Sequence, residues 1–109
     1  MANTFKLKTK ANVGVTTVGI YTAPAATTTV VIGITMANTS GSGVNVGVGI
    51  TRAGTTEDVK LLKNAPIPQG SSLEFMSGNK IVLEATDTVV GDSDTNNSVD
   101  AALTIMEIT

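Results

Sequence analysis

The side chains of this sequence best placed for proton transfer are carboxylates: Glu57 beside Asp58, Asp87, and Asp92 with Asp94. A pair of carboxylates can hydrolyse a glycosidic bond, one acting as acid and the other as base or nucleophile. Sugar sites are usually walled by aromatic side chains, however, and Phe5, Tyr21 and Phe75 are all that this sequence holds. His and Cys are absent. That excludes hydroxyl–imidazole and thiol–imidazole nucleophiles, thiolate chemistry and disulfides. The expectation is a protein that is not an enzyme and carries no cofactor.

The segment Asp92-Ser93-Asp94-Thr95-Asn96-Asn97 sets oxygen donors at Asp92, Asp94 and Asn96, which is how a calcium loop begins. A complete EF-hand loop needs Gly at its sixth position and Glu at its twelfth, and here those are Asn97 and Leu103. A polar hairpin loop is therefore preferred to a weak Ca²⁺ site. Gly41-Ser42-Gly43 and Gly47-Val48-Gly49 lack the Gly-Lys-Ser/Thr ending of a phosphate loop. Instead Asn45, Gly47 and Gly49 alternate with Val44, Val46, Val48 and Ile50, leaving one strand face almost bare. Such a face lets another backbone approach closely, so these residues are candidate interface positions.

Lys6, Lys8 and Lys10 alternate with Phe5, Leu7 and Thr9 and form the one concentration of like charge. They suit a solvated edge strand whose lysines discourage sheet-to-sheet aggregation, or a docking face for an acidic partner. Beyond Lys80 every charged residue is acidic: Glu84, Asp87, Asp92, Asp94, Asp100 and Glu107. A basic beginning and an acidic end can pair within one molecule or between neighbouring copies.

The elements that must position these residues are strands. Hydrophobic residues make up 41% of the 109-residue chain, charged residues 15% and aromatics 3%, so a core must be built from Val, Ile, Leu and Ala. The length predicts one domain over 1–109. A net charge of −2 with seven basic residues argues against nucleic-acid binding. No apolar run nears the ~20 residues that span a bilayer, and no signal peptide is evident, so no membrane partner is expected. Period-two alternation predicts eight or nine strands: 4–9, 15–22, 27–37, 44–52, 58–65, 72–76, 80–84, 88–90 and 99–108. From Val30, one face is expected to carry Val30, Ile32, Ile34 and Met36. In the last strand Val99, Ala101, Leu103 and Ile105 share a face while Met106 and Ile108 take the other, predicting a bulge near Ile105 or a neighbour that covers both faces. The predicted architecture is an all-β antiparallel sandwich of Greek-key or jelly-roll type.

Met1-Ala2-Asn3-Thr4-Phe5-Lys6, Val18-Gly19-Ile20-Tyr21-Thr22-Ala23-Pro24 running into Thr27-Thr28-Thr29-Val30-Val31-Ile32-Gly33, the Asn38-Thr39-Ser40-Gly41 turn, the Lys63-Asn64-Ala65-Pro66-Ile67-Pro68-Gln69-Gly70 break and the closing Met106-Glu107-Ile108-Thr109 resemble small virion structural proteins of tailed bacteriophages, of marine and cyanobacterial type. The resemblance implies a β-sandwich present in many copies in the virion and attached to capsid, neck or tail. A capsid decoration, or cement, protein is the best fit within it, a homo-oligomer (trimer favoured) on the major capsid protein. A neck, tail or fibre subunit and a soluble ligand- or receptor-binding module are the alternatives.

Overall fold

Alternating β-branched and small residues favour extended backbone, because each branched side chain packs on a pleated face while its neighbours turn away. The computed structural model describes residues 3–52, 58–74 and 80–109. Glu57, the Asp58 side chain, the turns at 53–54 and 77–79, and the 75–76 end of the sixth expected strand lie outside them. The described strands are β1 (Asn3–Val13), β2 (Val18–Thr22), β3 (Thr28–Asn38), β4 (Val44–Thr51), β5 (Asp58–Ile67), β6 (Ser72–Glu74), β7 (Ile81–Leu83), β8 (Thr88–Ser93) and β9 (Val99–Ile108). Among the described residues no helix is long and apolar enough to cross a membrane.

Two antiparallel sheets face each other. The first runs β1-β9-β3 and continues with β6 and β7, which take successive stretches of the free edge of β3; the second runs β2-β8-β4-β5. The pairings nest: β4 with β5, β3 with β6 and β7, β2 with β8, and outermost β1 with β9. Nested pairs shared between two sheets are the jelly-roll arrangement, with β6 and β7 together filling one strand's place. Between the sheets lie Val31, Ile34, Met36, Leu83, Leu103 and Ile105 from the first and Val46, Val48, Ile50, Val89 and Ile67 from the second. This is the aliphatic core that the scarcity of aromatics requires. Tyr21 is the one buried aromatic among the described residues.

Bulges reset the alternation at two places in the first sheet. In β3, Val31 pairs with Ile105 and Gly33 with Thr104, so Ile32 is an extra residue and the phase flips. The inward set is therefore Thr29, Val31, Ile34, Met36 and Asn38, and the expected face of Val30, Ile32, Ile34 and Met36 is corrected: Val30 points outward. The bulge expected near Ile105 thus lies on the strand opposite it. β9 itself stays regular, with Glu107 following Ile105 on the inner face. In β1, Asn12 adopts a left-handed backbone (φ 60°) and its N–H donates to Asp100 Oδ1 at 3.0 Å, which turns Val13 inward.

The β3–β4 corner is an Asx turn of the kind the Asn38-Thr39-Ser40-Gly41 run specifies. Asn38 Oδ1 accepts from Ser40 N (2.9 Å) and Ser40 Oγ (2.8 Å), while Nδ2 donates to Ser42 O (2.8 Å) and Ile67 O (3.0 Å). In the second sheet, β5 is bulged against β4, and its backbone crosses Gly47 and Gly49 closely. A Cβ on Gly49 would stand 2.7 Å from Val59 O; one on Gly47 would stand 2.7 Å from Asp92 Oδ1 and 3.3 Å from Leu62 O. Gly33, by contrast, would place a Cβ in open space. Gly49→Ala is expected to cost about 1–3 kcal/mol, since the obstacle is backbone, and Gly33→Ala to stay within about 0.5 kcal/mol. Urea denaturation of both variants beside the parent measures this, and equal stabilities would show that β5 can give way.

Candidate interaction surface

The register of the first sheet assembles its outer face from residues far apart in sequence. Phe5 of β1 pairs with Met106 of β9, Met106 with Val30 of β3, and Val30 with Val82 of β7, so four apolar side chains lie in one row across four strands. Directly paired residues on one face have Cβ atoms about 4.5–5.5 Å apart, so the row is continuous. Phe5 is 69% exposed, Leu7 66% and Val82 60%, while Met106 and Ile108 are half-buried by their neighbours. Further along the same strands the outward side chains shrink to Thr9, Ala11, Ala102, Thr35 and Ala37, and with Asp100 they line an open hollow of about 370 Å³. Large exposed apolar groups gathered on one face mark a surface that meets another molecule.

Lys6, Lys8 and Lys10 pair with Ile105, Leu103 and Ala101, so they occupy the inner phase of an edge strand. An inward charge at a sheet edge discourages further strand addition, and a lysine stem can lie over apolar surface while its ammonium reaches water. Lys6 ends on a buried partner: its Nζ is 2.9 Å from Glu107 Oε1. The Tyr21 hydroxyl donates to Glu107 Oε2 at 2.5 Å and lies 2.9 Å from Thr29 Oγ1, so the Thr29 hydroxyl donates to the phenol oxygen. The hydrogen bond from Tyr21, followed by that from Lys6, holds the Glu107 carboxyl below its usual range although burial opposes this. Burial first, then the bond to Glu107, pushes Tyr21 from 10.0 up to about 12. This network ties β1, β2, β3 and β9 together, and it is where the basic start of the chain meets its acidic end.

Asn45, Gly47 and Gly49 lie on the opposite sheet. Asn45 is exposed, and its backbone exchanges hydrogen bonds with Asp94: Asn45 N donates to Asp94 Oδ1 (3.1 Å), and Asp94 N to Asn45 O (3.0 Å). Gly47 and Gly49 are buried beneath β5 and Asp92, so the bare strand face is filled from within the chain. In the polar loop, Asp92 Oδ2 accepts from Thr17 Oγ1 (3.0 Å), and Asp94 Oδ1 also accepts from Thr95 Oγ1 (3.1 Å). Among the described residues no cluster of three His, Cys, Asp or Glu is arranged to hold a metal. Asp87 is buried and paired with Arg52 at 3.1 Å, and it caps the Glu84–Asp87 turn by accepting from Glu84 N (3.0 Å).

The candidate residues thus fall in three places: the lysines on the inner edge of β1, Met106 and Ile108 on the outer face of the first sheet, and Asn45, Gly47 and Gly49 on the second sheet. Phe5, Leu7, Val30 and Val82 complete the outer face, and alternation alone does not mark them as surface. The signal for two of them was present in the alternation of Phe5 and Leu7 with lysines, but nothing in the sequence says which side of β1 faces the core.

The acid–base behaviour of the buried network has a definite sign. Glu107 takes up its proton at a lower pH when folded than when unfolded, so its contribution is whole above the ordinary carboxylate range and is lost as pH falls through the folded value. Tyr21 runs the other way, its contribution being whole below pH 10.0 and lost as pH rises toward about 12. Glu107→Gln should flatten the acid limb of a stability–pH curve, and Tyr21→Phe should cost about 1–3 kcal/mol at neutral pH by removing a donor from a buried carboxylate. An acid limb left intact in Glu107→Gln would assign it to another carboxylate.

No protein-family model matches this chain, and no curated protein matches it in sequence. Solved structures do resemble it in fold. A chain from the disulfide-linked pili of Bacillus endospore appendages superposes with a TM-score of 0.58 at 15% identity, covering 99% of this chain and 87% of that one. A chain from the acid-stable capsid structure of Helicobacter pylori bacteriophage KHP30 gives 0.58 at 11% identity, covering 100% and 89%. A chain from infectious bursal disease virus, strain Gx, gives 0.52 at 12% identity, covering 96% of this chain but 36% of that one, so this chain spans about a third of its length. These likenesses establish a two-sheet antiparallel β-sandwich.

Proposed function

We propose that this chain is a non-enzymatic structural protein of a virion, bound in many copies to the head shell as a decoration protein in contact with the major capsid protein. The observation that carries this is the outer face of the first sheet, where Phe5, Met106, Val30 and Val82 form an apolar row with three of the large apolar side chains of that face left in water. Water-exposed apolar surface of this kind is stabilised by covering it, which is what attachment to a shell or to other copies does. The jelly-roll arrangement is shared by viral capsid domains, although lectin and cupin domains share it too. Fold likeness to chains from a bacteriophage capsid and from a second virus, together with the sequence resemblance to phage virion proteins, favours the virion over those alternatives.

A neck, tail or fibre subunit is the second reading, favoured by the equally good likeness to a pilus chain. A ligand-binding module is disfavoured by the hollow over Ala11 and Ala102, which has alanines and threonines where ligand sites carry aromatic walls.

Co-sedimentation tests the proposal. The purified chain is added to expanded, undecorated shells of the phage that encodes it, and stoichiometric, saturable pelleting with the shells is expected. A chain that stays in the supernatant while purified tails or fibres pellet it would move the assignment to the second reading, and indifference to every part of the particle would overturn the virion role.

A further inference from the structure

The outer face of the first sheet has two unlike halves on the same strands. One half is raised by Phe5, Leu7, Met106, Val30 and Val82; the other is hollowed over Thr9, Ala11, Ala102, Thr35 and Ala37. Within the strands of this face, among the described residues, Glu74 and Asp100 are the charged outward positions. Asp100 is turned to Asn12 N and Glu74 accepts from Thr35 Oγ1 at 3.3 Å. Lys10 and Asp100 border the hollow, and the raised half between the strand ends is free of charged outward side chains among the described residues, as an interface core is.

We propose that two copies of this chain pack face to face through this surface, related by a two-fold axis that lies between the sheets and across the strands. That operator leaves each strand over its own counterpart and reverses its direction, so the raised half of one copy meets the hollow of the other. The register gives the pairing. With the axis passing at Lys8, Leu103 and Ile34, which are mutual neighbours in the sheet, Phe5 stands over Ala11 of the second copy, Leu7 over Thr9, Val30 over Ala37, Val82 over Ser72 and Met106 over Asp100, whose carboxylate is occupied by Asn12 N. The same operation sets Glu74 of β6 across from Lys80, the residue that leads into β7, so opposite charges meet at the rim. Sheets stacked this way sit about 10 Å apart, a spacing that large side chains from one layer fill when they meet small ones from the other.

The size lies at the lower end of stable interfaces. β1, β3 and β9 are ten or eleven residues long and β6 and β7 three each, so four strand places about 4.8 Å apart and about 30 Å long present at most roughly 570 Å² per copy before side-chain relief is added. A standard interface takes about 800 Å² from each partner, and about 1,000 Å² in total is the lower bound. Both copies contribute the same patch, so the contact closes on itself and does not propagate into a filament. This inference goes beyond shell binding and does not depend on it; the three-fold association implied by the sequence resemblance becomes one outcome of its test.

Sedimentation of the chain alone, over a micromolar concentration series, should give the mass of a dimer. Phe5→Asp and Val82→Asp change exposed side chains and leave the core intact, as circular dichroism can verify, and each should raise the dimer dissociation constant about tenfold or more. Glu74→Lys should weaken the dimer and Glu74→Lys with Lys80→Glu should restore it. Because the chain contains no Cys, a mixture of Phe5→Cys and Ala11→Cys variants should be joined by a short bis-maleimide, which spans the ~10 Å between stacked sheets that a direct disulfide cannot, with far less cross-linking in either variant alone. A monomer at all concentrations, a trimer, a dimer indifferent to Phe5→Asp, or Phe5→Cys cross-linking chiefly to itself would each overturn the proposal. None of these results depends on shells, so a failed dimer leaves the decoration role standing; a dimer closed through this face would bind shells by other surfaces, and Phe5→Asp would then weaken the dimer without weakening co-sedimentation.

Discussion

The pairing of β9 between β1 and β3 is the contact on which the rest of the structure depends. It joins the two ends of the chain to its middle, from Asn3 opposite Ile108 to Asn38 opposite Val99. One face of β9 supplies Val99, Ala101, Leu103 and Ile105 to the core, and the other supplies Met106 and Ile108 to the exposed row. Pairings this distant in sequence form only after large loops have been closed, which costs entropy before any contact is gained. The nested order of the jelly roll distributes that cost, since the β4–β5 pair can form locally and each outer pair then closes over an already shortened gap.

A core without Trp or Phe among its described residues needs close packing, and the chain obtains it by two devices. Short aliphatic side chains interdigitate across the sheets, and Gly47 and Gly49 let β5 come against β4 nearer than any side chain would allow. Where the sandwich is thinnest in cover, at the β1 edge, the inner face carries lysines in place of leucines. The buried charge this introduces is satisfied completely at one point, where Glu107 receives both Lys6 and Tyr21 and Tyr21 in turn receives Thr29. A carboxylate with two donors is tolerable at low dielectric; one with none would not be. The same network fixes the orientation of β1 and so decides that Phe5 and Leu7 face water.

That consequence links stability to function. The lysines take the inner phase of the β1 edge, with Lys6 and Lys10 still exposed and Lys8 half-buried, so the large apolar side chains that alternate with them stand on the outer face, next to Met106 and across from Val30 and Val82. The exposed row is thus the other side of the arrangement that closes the core. In the proposed assembly role this is an economy, because one strand both seals its own sandwich and presents the surface that a partner would cover.

Alternation and turn residues by themselves determined the strands, the absence of helix among the described residues, the aliphatic core and the Asx turn at Asn38, because these depend on side-chain chemistry within a few residues along the chain. They also determined that no imidazole or thiol chemistry is available. Only the tertiary structure decided which face of each strand points inward. The bulge at Ile32 flips β3 halfway along, the left-handed Asn12 flips the end of β1, and neither leaves a mark in a period-two pattern, since the extra residue is defined by the strand opposite. For the same reason Gly47 and Gly49 read as a bare outer surface and are in fact covered by β5, whose bulged register is a property of a pairing and not of a segment. The row from Phe5 to Val82 is likewise the product of three registers between residues as many as a hundred positions apart. Local chemistry specifies elements; the face an element shows is set by what it pairs with.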